Sequence, residues 1–370
     1  MNLQALSLGL YVHVPFCANQ CAYCHFFKVQ PTDASIKAYF RQIEREFRMW
    51  QERLQGRTID TIFWGGGSPS CLSVAQIERL GYLCQSLAMQ PKEWTVEVSP
   101  VTITFDKLQY LKQLGVTRIS MGVQSLNPDI LKQLGRKQTR KQIFEAYEWI
   151  RKAGFDNVNL DLIFPPDFSD FKLWQKDLEE IVNLNPEHIS TYCLTYESET
   201  GPFVPEAHQS VDSNREADFY EFTWSFLPQF GYQHYEVSNF AKPGFECKHN
   251  VNTWRMQEWI GIGPSAASQF QQQRFQNHFK IDPEGTQTFA SLETLDELTL
   301  CKDCLIFGLR MCEGIDLQQL QKRFPSIDLS QFEPLWQHFQ QQGWIECQNS
   351  ILHCTPKGLL LADSLALEIL

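Results

Sequence analysis

No stretch of this chain reaches the roughly eighteen uninterrupted apolar residues that a membrane helix needs. The nearest, GLLLADSLALEIL at the C-terminal end, is broken by Asp363 and Glu368. Positive charge is also scarce, with 32 Lys and Arg against 43 Asp and Glu for a net charge of −11. A general binder of nucleic-acid backbone needs a basic face to displace counterions, so that class is disfavoured. Twelve cysteines in 370 residues are too dilute for a disulfide-stapled secreted domain. The opening MNLQALSLGLYVHV lacks the Lys or Arg that starts a secretory signal. The expectation is a cytoplasmic chain with reduced thiols, where clustered cysteines point to metal or catalysis.

What is present has a clear rhythm. The length predicts two domains. Apolar, β-rich runs at 8–14, 58–64, 94–99, 118–125, 157–164 and 188–194 alternate with helix-like stretches near 33–55, 73–88, 106–113, 139–153 and 170–183. Asp33, Ser73, Thr139 and Asp170 stand where helix caps belong, and Gly115 and Gly154 follow two of the helices. Strict alternation predicts parallel βαβ units with right-handed connections, in an open doubly wound sheet or an incomplete barrel. Beyond residue 200 the pattern predicts a helix over about 214–228 and a strand in HYEVSNFA (234–241). A long loop rich in glycine and aromatics follows over 242–268, and such loops are more often functional than decorative. From about 291 the chain is helical and ends in a hairpin and a last helix, a winged-helix-like pattern. With five Lys and Arg against eleven Asp and Glu, residues 291–370 do not look like a nucleic-acid binder.

Cys17, Cys21 and Cys24 form C-x3-C-x2-C directly after the first strand. Iron–sulfur clusters take thiolate ligands, and three thiolates on a [4Fe–4S] cluster leave one iron open to a small chelating molecule. Three unrelated buried thiols, or a zinc site completed by His25, are the alternatives. Cys301, Cys304 and Cys312 share a helical face on spacing alone, and burial as small apolar groups accounts for them. Cys71, Cys84, Cys193 and Cys247 show no ligand spacing.

YVHVPFCANQCAYCHF (11–26) resembles the opening of radical S-adenosylmethionine (SAM) proteins of the coproporphyrinogen dehydrogenase group. The likeness continues through WGGGSPS (64–70), EVSP (97–100), RISMGVQSLNPDILKQLGR (118–136), NLDLIF (159–164) and YEVSNFAKPGFECKHN (235–250) into the C-terminal region. It implies an α/β fold: a partial (β/α)6 radical SAM barrel over 1–235, a connecting loop region over 236–290, and a C-terminal winged-helix-like α+β domain over 291–370. It also implies a [4Fe–4S] cluster on Cys17, Cys21 and Cys24, and SAM chelating the open iron. Gly65, Gly66 and Gly67 suit close approach of the methionyl amine, although a triple glycine is also a plain tight turn. Ser68 offers a hydroxyl beside them. Glu97, Gln124 and Asp161, at three strand ends, suit the ribose and the amine. Arg136 suits the carboxylate. Tyr11 and Tyr23 suit the adenine. Resemblance implies reductive cleavage of SAM to a 5′-deoxyadenosyl radical, with electrons from a donor such as a flavodoxin-like protein.

Within this group the resemblance points two ways. The dehydrogenases carry a further cysteine at the place of Phe26 and a long N-terminal extension, whereas haem chaperones of the HemW type lack both. The chaperones have an H-N-x-x-Y-W motif implicated in haem binding, and this chain has His249-Asn250-Val251-Asn252-Thr253-Trp254. Imidazole ligates haem iron and indole stacks on porphyrin. Thr253 in place of the motif tyrosine and His25 in place of a usual aspartate are departures. So are Val101, the Phe164-Pro165-Pro166 turn, and the lack of histidine in GIGPSAAS (261–268). The expected function is a haem chaperone that delivers haem to an acceptor protein. The alternative is oxygen-independent coproporphyrinogen III dehydrogenation, with Lys242, Lys248 and Arg255 as candidates for holding propionates. An RNA-modifying radical SAM enzyme is disfavoured by the acidic C-terminal part.

Overall fold

The computed structural model describes residues 7–19, 21, 23–54, 56–165, 171–194, 213–285 and 289–370. Its frame is built from β1 (Leu8–Val14), α1 (Asp33–Leu54), β2 (Thr61–Gly66), α2 (Val74–Leu87), β3 (Glu93–Val98), α3 (Phe105–Leu114), β4 (Arg118–Gln124), α4 (Pro128–Gln133), α5 (Arg140–Lys152), β5 (Val158–Ile163), α6 (Phe171–Leu184) and β6 (His188–Tyr192). The six strands pair in chain order and all in parallel. They are almost continuously buried, as expected of strands covered by helices on one face and by the barrel interior on the other. Side chains of successive strands point into one shared cavity, so the sheet curves around it as a partial barrel.

Local signals account for most boundaries. Ser73 and Thr139 each make a reciprocal capping box with the glutamine three residues on. Gly115 takes the left-handed conformation that closes α3. Asp33 is not a cap. The Thr32 hydroxyl accepts from the Ser35 N–H at 3.1 Å, and Asp33 is the first helical residue. Asp170 and Pro166 lie outside the described residues.

After α7 (Ser213–Phe226) the structure departs from expectation. Residues 234–241 form not one strand but a hairpin, β7 (Gln233–Glu236) and β8 (Asn239–Ala241), paired beside β6. The supposed loop 242–268 contains α8 (Lys248–Trp254), β9 (Glu258–Ile262) and the start of β10 (Ala267–Phe270). β9 is a seventh parallel strand on the open side of β1. From it β10, β11 (Gln273–Gln276) and β12 (Ser291–Thr294) continue antiparallel, giving a twelve-stranded sheet. The glycines that read as loop signals serve close approach instead. A Cβ on Gly263, at φ 97°, would lie 2.5 Å from the His13 carbonyl oxygen.

A second core joins Val237 and Met256 to the C-terminal helices. Here α9 (Glu297–Gly308), β13 (Ile315–Asp316), α10 (Leu317–Arg323), α11 (Glu333–Gln341), β14 (Ile345–Gln348) and β15 (Ile351–Cys354) precede α12 (Pro356–Leu360) and α13 (Ala362–Ile369). Three helices followed by an antiparallel hairpin, edged by β13, have the order of a winged helix. Cys301 and Cys304 are buried on α9 as expected, but Cys312 lies beyond the end of that helix, with its thiol 3.5 Å from His234 Nδ1. The hairpin turn holds Asn349 at φ 52° and Ser350 at φ 67°, the left-handed pair of a type I′ turn. Glycine carries no steric penalty in that region, so Ser350→Gly should stabilise the chain by up to about 1 kcal/mol. A raised urea midpoint at unchanged slope checks it. Among the described residues no helix is long and apolar enough to cross a membrane.

Candidate functional site

Period-two alternation sends Tyr11 and His13 of β1, Glu97 of β3, Ser120 and Gly122 of β4, and Asp161 of β5 to the same interior, a cavity of about 950 Å³. The loops after β1 and β2 close its upper end, where ligands of parallel α/β folds bind. The cysteine loop is tied at its neck. Val29 N–H donates to the Pro15 carbonyl at 2.8 Å and Cys17 N–H to the Val29 carbonyl at 3.0 Å. Cys17, Cys21 and Cys24 all line the cavity, and Lys28 donates to the Cys24 carbonyl. Burial, then the neighbouring Cys71, Cys24 and Cys21, push the Cys17 thiol up to about 12. Such crowding of thiols favours ionisation only when a cation joins them. Among the described residues no three His, Cys, Asp or Glu side chains converge on a single ion. A four-iron cluster asks for something else, since each thiolate takes its own iron around the cube.

The glycine turn packs directly beneath this loop. Gly67 N–H donates to the Val14 carbonyl at 2.9 Å and Ser68 N–H to the Phe16 carbonyl at 2.8 Å. Gly66 N–H donates to Glu97 Oε2 at 3.2 Å. Gly66 sits at φ 97°, where an added Cβ would strike the His13 ring. Sterics alone thus require the turn glycines, whatever else they do. Ser68 shares its hydroxyl with Ser70, which bonds on to Thr102 at 2.6 Å.

Sequence reasoning missed His13. The Phe27 carbonyl can only accept, so the His13 Nε2–H 2.8 Å away donates to it. Nδ1 is then left to accept from the Tyr11 hydroxyl at 3.1 Å. Burial holds His13 down at about 4, neutral. Tyr11 therefore spends its hydroxyl inside the protein and presents only its ring. Tyr23 accepts from Arg136 Nε at 2.9 Å, which brings the guanidinium beside Cys21 and Cys24.

Gln124 adopts φ 68° at a β-bulge against β5, a strained conformation that re-aims its side chain into the cavity. Asp161 accepts from Asn159 at 2.8 Å and from Ser120 at 3.1 Å. Behind it runs a buried chain. Tyr235 O–H donates to His188 Nε2 at 2.7 Å, and His188 Nδ1–H donates to Asn159 Oδ1 at 2.6 Å. These residues position Asp161 and carry no motif of their own. Burial, and then the Asp161 charge, push Glu97 up to about 8. The sign follows directly. Between the ordinary carboxylate range and pH 8 the folded chain keeps a proton that the unfolded chain has lost, so stability falls as pH rises through that window. Glu97→Gln should remove this loss, leaving the ligand-free variant a few degrees more heat-stable than the parent at pH 8 and little different at pH 4. Melting curves at the two pH values check it.

The histidine–asparagine motif lies on α8. Glu93 accepts from the backbone N–H of Lys248 and of His249, both at 3.0 Å, and so caps that helix. His249 faces the lower cavity, its Nδ1 2.9 Å from Thr61 Oγ1 and its ring against Gly9. Burial holds it down at about 4. Trp254, five residues on, points elsewhere, packing between Phe307 and Arg310 of the C-terminal part. Asn250 is half-buried and its N–H faces the Cys247 thiol. The motif is therefore split over different faces of one short helix. Lys242 bonds Asn185, and Arg255 pairs with Glu313. Neither these two nor Lys248 lines the cavity, where Lys28 and Arg136 are the cations instead.

Comparison with known proteins agrees with this geometry. Residues 11–175 match the radical SAM superfamily, and residues 295–361 match the HemN C-terminal domain. The heme chaperone HemW of Lactococcus lactis is 32% identical over 366 residues, spanning 96% of this chain and 95% of its own length. That of Synechocystis is 34% identical, spanning 86% and 80%. Coproporphyrinogen III oxidase (HemN) from Escherichia coli, a radical SAM enzyme of known structure, superposes with a TM-score of 0.80 at 25% identity, over 99% of this chain and 90% of that one. The barrel, the cysteine loop, the glycine turn and the appended C-terminal domain all fall within these likenesses, and the chain belongs to the radical SAM superfamily, in the family of the HemW and HemN proteins.

Proposed function

We propose that this chain is a cytoplasmic haem chaperone that holds haem together with a [4Fe–4S] cluster and SAM and passes the haem to an acceptor protein. Membership of the superfamily implies the cluster and SAM. The haem assignment rests on one observation above all: the likeness to heme chaperones runs over nearly the full length of both partners. Phe26, in place of the dehydrogenases' extra cysteine, supports the same choice. All twelve cysteines are free, in keeping with a reducing compartment.

The residues present fit the two cofactors. Cys17, Cys21 and Cys24 would hold the cluster, as three thiols of one tied loop that all line the cavity. When bound, the pair supplies one-electron and radical chemistry, which is the cofactors' own. The protein binds and orients. The N–H groups of Gly66, Gly67 and Ser68 are already committed within the fold, which leaves the carbonyls of that turn to accept from the methionyl amine. Arg136, braced by Tyr23, suits the carboxylate. Asp161 and Gln124 suit the ribose hydroxyls, with Glu97 able to donate while it keeps its proton. The ring of Tyr11 offers a face to the adenine. Of the haem set, His249 looks into the cavity, while Asn250 and Trp254 stand off it.

Dehydrogenation of coproporphyrinogen III is the second reading, favoured by the superposition on HemN. A transfer assay tests the first. Full-length protein loaded with one equivalent of ferric haem, mixed with apomyoglobin, should take up the haem stoichiometrically and then release it with the rise of the holomyoglobin spectrum. A chain that takes up no haem would remove the chaperone reading.

A further inference from the structure

A single row of residues crosses four strands at the lower end of the barrel. Trp259 of β9 pairs with Gly9 of β1, Gly9 with Thr61 of β2, and Thr61 with Glu93 of β3. Residues in register on parallel strands send their side chains to the same face of the sheet. His249 packs against the face that this row presents. Glu93 accepts from its backbone N–H at 3.0 Å, and Thr61 Oγ1 lies 2.9 Å from its Nδ1. Gly9 makes the room, since a Cβ there would come within 3.0 Å of the His249 ring. One imidazole is thus held by backbone, edge and packing at once, and only its Nε2 is uncommitted. That atom meets no protein donor or acceptor among the described residues. It is not sealed off as the unpartnered Trp254 Nε1 is, so it opens onto the cavity that His249 lines. Trp259, at the end of the row, lines the same cavity, its indole anchored by Nε1–H donating to the Ala267 carbonyl at 3.1 Å. Trp254 packs instead against Phe307 and Arg310.

We propose that Thr61 is a positioning residue of the haem site, its hydroxyl oxygen accepting the Nδ1 proton of His249 so that Nε2 is presented to the iron, and that Trp259, rather than Trp254, supplies the indole of that site. This rests on the chaperone reading, with His249 as the residue of its motif that reaches the cavity, and adds what orients that residue. Iron takes an imidazole lone pair only at the nitrogen without a proton, so ligation at Nε2 requires the proton on Nδ1, and a fixed acceptor there selects that tautomer. Such a partner also makes the ring a stronger donor to the metal. The Nε2 lone pair bonds to the ferric iron in place of water, with no change of oxidation state.

Titration of the full chain with ferric haem, followed by resonance Raman spectroscopy of the reduced complex, tests the assignment. Thr61→Val keeps the shape of the side chain and loses the acceptor. It should weaken haem binding about tenfold or more and move the iron–imidazole stretch to lower frequency. Thr61→Ser should restore both, which a purely structural role for the threonine would not produce. Gly9→Ala, which crowds the ring away from Thr61, should reproduce the loss and keeps the test open if Thr61→Val does not fold. Trp259→Leu should weaken binding with the stretch unchanged. Parental affinity and stretch in folded Thr61→Val or, where that variant does not fold, in Gly9→Ala would overturn the role of Thr61, and parental affinity in Trp259→Leu that of the indole, while the chaperone reading stands. If the parent itself binds no haem, that reading falls and this inference with it.

Discussion

Cys21→Ala, reconstituted anaerobically with iron and sulfide, should lack the broad visible absorbance of a [4Fe–4S] cluster and hold well under one cluster per chain. The expectation rests on count and geometry. Three thiols of one loop line the cavity, and the loop is pinned at Cys17 and Val29, so two remaining ligands have no freedom to gather a third from elsewhere. Cys71 is the nearest rival. It follows the glycine turn, lines the same cavity and acts on Cys17 more strongly than Cys21 or Cys24 does. Cys71→Ala is therefore the necessary companion, and it should retain the full cluster. Loss in Cys71→Ala with retention in Cys21→Ala would reassign the ligand set. A structural thiol gives neither result, since removing one buried sulfur costs only about 1–2 kcal/mol of packing.

Gly67→Val should have the second largest effect. A Cβ at this position would lie 2.6 Å from the Val14 carbonyl oxygen and 2.8 Å from the Phe16 nitrogen, both backbone atoms of the segment leading into Cys17. No rotamer relieves a clash with backbone, so either the glycine turn or the end of β1 must move. Either movement shifts the proposed amine acceptors relative to the cysteine loop. SAM affinity should fall at least about tenfold, equivalent to about 1.4 kcal/mol, and overpacking should cost roughly 1–3 kcal/mol of stability. Equilibrium dialysis with SAM and a denaturant titration separate the two effects. Unchanged SAM affinity in a folded Gly67→Val protein would show that the turn serves packing alone.

Much of this is legible in the amino-acid sequence because it is local. Six strands and five helices follow from apolar runs, caps and closing glycines. The two-residue period of a strand is enough to put Tyr11, Glu97 and Asp161 on a common face. What escapes depends on distant pairing. β9 is five residues with a glycine at the fourth, and only its register against β1, some 250 positions away, makes it a strand. His13 has no motif of its own, and its importance comes from meeting Tyr11, Phe27 and Gly66 at once. The chain from Tyr235 through His188 to Asn159 spans three strands and leaves no mark in the order of residues. A histidine at 249 and a tryptophan at 254 look like one motif in a line of letters, yet five residues of helix turn them onto different faces.

The central claim, carriage of haem rather than conversion of a porphyrinogen, is tested most directly by offering both to the same preparation. Protein with a reconstituted, reduced cluster and excess SAM is incubated anaerobically with coproporphyrinogen III or with haem. The account predicts one bound haem per chain and no accumulation of protoporphyrinogen beyond the amount of protein present. Multiple turnovers of coproporphyrinogen III to protoporphyrinogen would contradict it.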